Sequence, residues 1–188
     1  MKISKYSNFK RALILHGFGT NPDEGFYRNM KLSLSNIGID VEIPLLPNSS
    51  DPNDVDQASS IRDKFDIVIA HSFGSVTALR YAEGHKIDRL ILISGFIDTN
   101  FHEGDPDIEN LKNSSTWKFN FKKIISNCKS INILYPFKDS SVTYNQTKDL
   151  SKNLKSKILR FKEEVDHACG ENEDHLIKLV IKLIGEDI

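Results

Sequence analysis

Residues 66–82 read DIVIAHSFGSVTALRYA: four apolar residues, Ile67 to Ala70, run into His-Ser-Phe-Gly and then, with no intervening loop, into a helical stretch. A strand that turns this abruptly into a helix at a serine pushes the serine oxygen out beyond the end of the sheet. The first N–H groups of the helix can then face a developing negative charge. So sharp a turn brings strand and helix close, and the residues two before and two after the serine must be small. They are Ala70 and Gly74. Ser72 is therefore a candidate nucleophile, although a serine that only shapes the turn would satisfy the same short pattern.

The change from strand to helix recurs along the chain. Short apolar runs predict strands at Ala12–Leu15, Val41–Pro44, Ile67–Ala70, Leu90–Ser94, Ile131–Tyr135 and Ile158–Phe161. Between them, helical periods fall near Glu24–Ile37, Asp54–Lys64, Phe73–Glu83, Phe119–Asn127, Tyr144–Leu154 and Glu173–Ile184. The last sets Leu176, Ile177, Leu179, Val180, Leu183 and Ile184 on one face. The strands lack polar alternation, as strands buried on both faces do. Alternating strands and helices imply right-handed crossovers and an α/β fold of three layers: a mostly parallel sheet of about six strands flanked by helices. With 188 residues the chain is expected to form a single domain over 1–188, able to bury roughly 70% of its unfolded surface without disulfide or metal.

Composition narrows the partners. The net charge is -1 and the basic residues are dispersed, Lys118, Lys122 and Lys123 being the nearest to a cluster. Nucleic-acid binding needs a concentrated positive face and is not expected. Cys128 and Cys169 lie far apart and fit no metal spacing, which suits a reduced, intracellular setting. The opening MKISKYSNFKRALILHG holds too few apolar residues for a signal-peptide core. No apolar run approaches the roughly 20 residues that span a bilayer. A cytoplasmic protein without membrane association is expected.

A serine hydroxyl is a poor nucleophile until a base takes its proton, and the base must be oriented by an acid. Ligands of a parallel sheet meet the carboxyl ends of its strands. After Ile131–Tyr135 comes PFKDSSV, which puts Asp139 just past the strand end. After Ile158–Phe161 comes KEEVDHA, which puts His167 in the last such loop. Ser72, Asp139 and His167 thus arrive in the chain order serine, acid, histidine. Singly, Asp139 reads equally as a turn cap and His167 as a loop histidine; Asp98, past the fourth strand, is the reserve acid. Of the other histidines, His16 is expected to hydrogen-bond within its loop and His71 to pack away from the serine. His85, His102 and His175 are expected at the surface.

The first strand leaves through LHGFGTNPDEGFY, where Gly17 and Gly19 let backbone approach a ligand closely. An oxyanion hole would combine the N–H of Phe73 with that of Phe18, Gly19 standing next in line. The same glycines would also serve a plain tight turn. The segment 96–116, FIDTNFHEGDPDIENLKNSST, is too long for an ordinary connection. It is either a solvated acidic loop or a rim over a binding pocket, with Phe96, Ile97, Phe101 and Trp117 supplying apolar wall.

In order and spacing, HGFGTNPDEGFY, VEIPLLPN, AHSFGSVTALRYA, LILISGF, STWKFNFKKIISNC, PFKDSSVTY and DHA resemble the small α/β-hydrolase-fold serine hydrolases related to retinoblastoma-binding protein 9, the bacterial members most of all. The resemblance runs from about Ala12 to Ile184. It implies a compact hydrolase fold without leading antiparallel strands and with minimal lid. The family's serine, aspartate and histidine fall on Ser72, Asp139 and His167. Ala70 replaces the more usual glycine, Ser140 stands where an acid or proline is common, and Asp166 adds a charge beside the histidine. The expected activity is cleavage of a small ester or amide through an acyl-enzyme, with no metal and no organic cofactor. Two rivals stand beside it: a hydrolase-fold module that binds a protein partner with little or no activity, and a nucleotide binder. The glycines of HGFGTNPDEG do not follow the G-x-G-x-x-G that the nucleotide binder needs.

Overall fold

The computed structural model describes Phe9, residues 11–100 and residues 111–186. Its strands are β1 (Arg11–Leu15), β2 (Asp40–Glu42), β3 (Ile67–His71), β4 (Ile87–Ile93), β5 (Cys128–Pro136) and β6 (Ile158–Phe161). They form one sheet in the order β2-β1-β3-β4-β5-β6, and every pairing is parallel. The helices between them are α1 (Tyr27–Ser35), α2 (Asp54–Ser60), α3 (Phe73–Ala82), α4 (Phe121–Asn127), α5 (Tyr144–Leu154) and α6 (Asp174–Ile184).

Strand periodicity divides the core in two. Ala12, Ile14, Ile67, Ile69, Ile91, Ile93 and Leu134 point to one face, where Met30 and Leu34 of α1 and Leu176, Val180 and Ile184 of α6 cover them. Leu13, Leu15, Val68, Ala70, Leu90, Leu92 and Ile133 point to the other, under Ala58, Leu79, Ile124 and Leu150. Both faces are dry, which is why the strands read as unbroken apolar runs.

The element boundaries differ from the sequence expectation where backbone chemistry intervenes. Strand β2 stops at Glu42, ahead of Pro44, which has no N–H to continue a ladder. Helix α1 starts at Tyr27, because Gly25 takes a left-handed conformation (φ 56°) that a helix cannot include. Strands β4 and β5 each begin three residues earlier than the apolar runs do. Leu111 and Lys112 are helical within the segment expected to be irregular. Phe101 and His102, and the loop acids from Glu103 to Glu109, lie outside the described residues. Among the described residues no helix is long and apolar enough to cross a membrane.

After β1 the chain turns to β2 on one side, then returns past β1 to β3 on the other. The carboxyl ends of β1 and β3 therefore border the switch point, where open α/β sheets place their ligands. Helix α3 leaves that point pressed against β1: a Cβ on Gly74 would stand 2.4 Å from the Leu15 carbonyl oxygen and 2.6 Å from that of His16. Gly74→Ala should lower the unfolding free energy by about 3 kcal/mol or prevent folding. Gly84→Ala, whose nearest neighbour would be 3.8 Å away, should be near neutral. Urea denaturation of the two variants checks this.

Candidate active site

Ser72 joins β3 to α3 in a conformation (φ 53°, ψ -126°) that a side chain adopts only under constraint. Its N–H donates to the Ile93 carbonyl at 2.9 Å, and its carbonyl receives the Ser75 N–H at 2.9 Å. Gly17 leans on it from the β1 loop, a Cβ there falling 3.2 Å from the Ser72 Cβ. The side chain is half-buried. Its hydroxyl makes no hydrogen bond with another described residue.

Asp139 and His167 come together. The His167 ring donates from Nδ1 to Asp139 Oδ1 at 2.7 Å. The same oxygen accepts the N–H groups of Ser141 (3.2 Å) and Val142 (2.8 Å). The aspartate side chain is wholly buried, and its Oδ2 has no hydrogen-bond partner among the described residues. Because a carboxylate only accepts, Nδ1 carries a proton, which leaves Nε2 as the ring atom that can present a lone pair. The reserve acid Asp98 is elsewhere: its carboxylate caps Asn100 and its carbonyl accepts from Gln146.

The His167 loop is held from several sides. His167 and Ala168 are both left-handed (φ 59° and 53°). The His167 N–H reaches the Lys138 carbonyl at 3.3 Å. Glu163 accepts the N–H groups of Phe137 and Lys138, lacing the two loops. Glu173, with no exposed surface, accepts the N–H groups of Glu164 (2.9 Å), Val165 (3.1 Å) and Gly170 (3.2 Å). Asp166 does not compete for the ring; it accepts the Ser140 N–H at 2.9 Å. Burial acts to raise its pKa, but hydrogen bonds from Ser140 and His167 outweigh that and hold it below the ordinary carboxylate value.

At the β1 loop the Gly19 N–H donates to the Ser49 carbonyl at 2.7 Å, so Gly19 is not a free donor as expected from the sequence. No carbonyl of a described residue accepts the N–H of Phe18 or Phe73. His16 bonds within its loop, as expected, Nδ1 donating to the Gly17 carbonyl at 3.1 Å, and it also ties that loop to the one after β2, the Leu46 N–H donating to Nε2 at 3.1 Å. His71 is buried. His85 is half-buried and stacks on Tyr81, rather than standing free at the surface, and His175 is exposed.

Beside Ser72 lies an apolar cluster of Phe73, Val76, Phe96, Leu111 and Val142, with Phe18, Trp117 and Phe119 at its border. Phe96 stacks on Trp117 with ring centroids 6.0 Å apart. Phe96 is only 1% exposed, so it underlies the cluster and does not form an open wall. Ile97 turns to the core on the α3–α5 side of the sheet. Phe18, Trp117 and Phe119 are the half-buried members.

His71, His167 and Cys169 bring possible metal-ligating atoms within 4.8 Å of one another. Both ring nitrogens of His71 are hydrogen-bonded. Burial and nearby acids push the Cys169 thiol up to about 11, so it is not a thiolate at neutral pH. The set is poorly prepared for a metal. Sequence reasoning passed over Glu173 and Tyr27 because no spacing rule marks them: one looks like an ordinary acid before a helix, the other like an ordinary aromatic at a helix start.

No family model matches the chain. By sequence it is weakly homologous to Serine hydrolase RBBP9 of Rattus norvegicus, 27% identical over 124 residues. That match covers 65% of this chain and 63% of the relative, less than two thirds of its length. It is also similar to YdeN of Bacillus subtilis (strain 168), 23% identical over 175 residues, 88% of this chain and 87% of that one. The crystal structure of the ydeN gene product matches with a TM-score of 0.75 at 20% identity, covering 94% of this chain and 100% of that one. The monoacylglycerol lipase of Paleococcus ferrophilus matches with a TM-score of 0.69 at 15% identity, 93% of each chain being covered. The fold is that of the α/β hydrolases.

Glu173→Gln should cost about 2–4 kcal/mol, because an NH2 group would then face N–H donors in a buried place. Faster amide exchange at Glu164, Val165 and Gly170 would report it; unchanged exchange there would contradict it. Burial, and then the neighbouring His167, press the His71 pKa down from 6.5 to about 3. Between those values the unfolded chain binds a proton that the folded one refuses, so stability present above about pH 6.5 drains away as pH falls toward 3. The unfolding free energy of His71→Gln should fall less steeply than that of the unsubstituted protein between about pH 6.5 and pH 4, by up to one proton.

Proposed function

We propose that the protein is a serine hydrolase that cleaves a small ester or amide through Ser72, His167 and Asp139. Ser72 Oγ attacks the carbonyl carbon while His167 Nε2 takes its proton. Asp139 holds the opposite ring nitrogen and stabilises the imidazolium that results. The oxyanion accepts hydrogen bonds from the N–H groups of Phe73 and Phe18. His167 returns the proton to the leaving group, and water, deprotonated by the same ring, releases the acid and restores Ser72.

The observation that carries this reading is the 2.7 Å contact between His167 Nδ1 and a wholly buried Asp139, in a loop whose His167 carbonyl is bonded to His71, the residue before Ser72. A histidine serving only as a loop residue would not need its ring oriented by a buried carboxylate with two further N–H bonds. Serine Oγ and imidazole need not be bonded before substrate arrives, since such contacts tighten in the complex. The relative named a serine hydrolase and the structural neighbour named a lipase point to the same chemistry. With only Phe18, Trp117 and Phe119 half-buried at the border of the cluster, short acyl groups are the preferred substrates.

A fluorophosphonate probe should label the protein at Ser72, and Ser72→Ala should abolish both labelling and hydrolysis of short p-nitrophenyl esters. Asp139→Asn should lower kcat by about 10³–10⁴ by upsetting the histidine tautomer. Full turnover by Ser72→Ala would overturn the mechanism; a folded protein that neither labels nor hydrolyses would favour a binding module instead.

A further inference from the structure

His71 is expected from the sequence to be packing, yet it is the middle of a continuous hydrogen-bond chain between two loops of the site. The Gly17 N–H donates to the Tyr27 hydroxyl at 3.1 Å. That hydroxyl lies 2.9 Å from His71 Nδ1, and His71 Nε2 lies 2.9 Å from the His167 carbonyl oxygen. Tyr27 is 2% exposed and His71 4%, so water does not compete for these groups.

The direction of every bond is determined. A carbonyl oxygen only accepts, so His71 Nε2 carries a hydrogen. The neutral imidazole then has a bare Nδ1, which receives the Tyr27 O–H. The tyrosine oxygen keeps a lone pair for the Gly17 N–H. No member can turn around without leaving two acceptors or two donors facing each other in a buried place, which is costly. The chain starts one residue before Phe18 and ends on the backbone of His167, residues from the loops after β1 and β6.

Resting on the function proposed above, we infer that Tyr27 and His71 are positioning residues that set the distance between the oxyanion donor at Phe18 and the base at His167. Neither touches the reacting atoms. His71 holds the His167 backbone in its left-handed conformation, and Tyr27 fixes the His71 tautomer while anchoring the β1 loop through Gly17.

The test uses the full chain with 15N-labelled histidine, read by NMR of the imidazole nitrogens, beside ester kinetics and thermal melts. The unsubstituted protein should show His71 as the neutral Nε2–H tautomer. Tyr27→Phe should shift the His167 ring signals as well as those of His71, and lower kcat about tenfold with KM changed less than twofold. His71→Gln keeps a donor for the His167 carbonyl and should recover most of the rate that His71→Leu loses. Unmoved His167 signals in Tyr27→Phe would overturn the inference. So would kcat losses that merely follow Tm across the variants. A Ser72→Ala control that still turns over ester would instead sink the serine mechanism, and the NMR signals would then decide the network alone.

Discussion

The close approach of α3 to the end of β1 is the constraint on which the site depends. Gly74 lies against the Leu15 and His16 carbonyls, and Gly17 against Ser72, so the loop that bears Phe18 and the helix start that bears Phe73 are held together. The same contact over-determines the backbone of Ser72, whose left-handed conformation costs on the order of 1–3 kcal/mol. The strain is borne by a sheet whose two faces are both packed, so there is no looser arrangement nearby for the turn to relax into.

The histidine side of the site is built differently. No strand or long helix holds His167; it sits in a three-residue turn, Asp166–Ala168, with two consecutive left-handed residues. Its order comes from polar side chains bonded to backbone: Glu173 accepts N–H groups from within, Glu163 and Asp166 accept them across to the Asp139 loop, and His71 donates from beneath to the His167 carbonyl. Rigid backbone on the serine side and a polar lattice on the histidine side meet at one rim of the sheet. A loop held this way is precise only while its bonds stay intact.

The sheet and its helices were legible in the sequence because burial on both faces leaves long apolar runs, and β6 and α5 have the expected limits to the residue. Helix α5 owes its clean start to a capping box of Thr143 and Gln146, a local signal. Boundaries set by non-local contacts were not legible: β4 and β5 extend backward because they pair with each other from Ile87 and Cys128 onward. The pairing of Asp139 with His167 was legible from their places in loops past two strand ends, in the chain order serine, acid, histidine, and from the family resemblance. The commitment of the Gly19 N–H to Ser49, the burial of Phe96 and the clamp at Glu173 depend on which loops pack together, and a single sequence carries no period or spacing for that.

The most direct test of convergence at Ser72 is a crystal structure of the protein after reaction with a fluorophosphonate. The account requires phosphorus bonded to Ser72 Oγ, a phosphoryl oxygen accepting the N–H groups of Phe18 and Phe73, and His167 Nε2 within hydrogen-bonding distance of the adduct. A phosphoryl oxygen turned away from both N–H groups, or a His167 ring out of reach of the bonded oxygen, would contradict it.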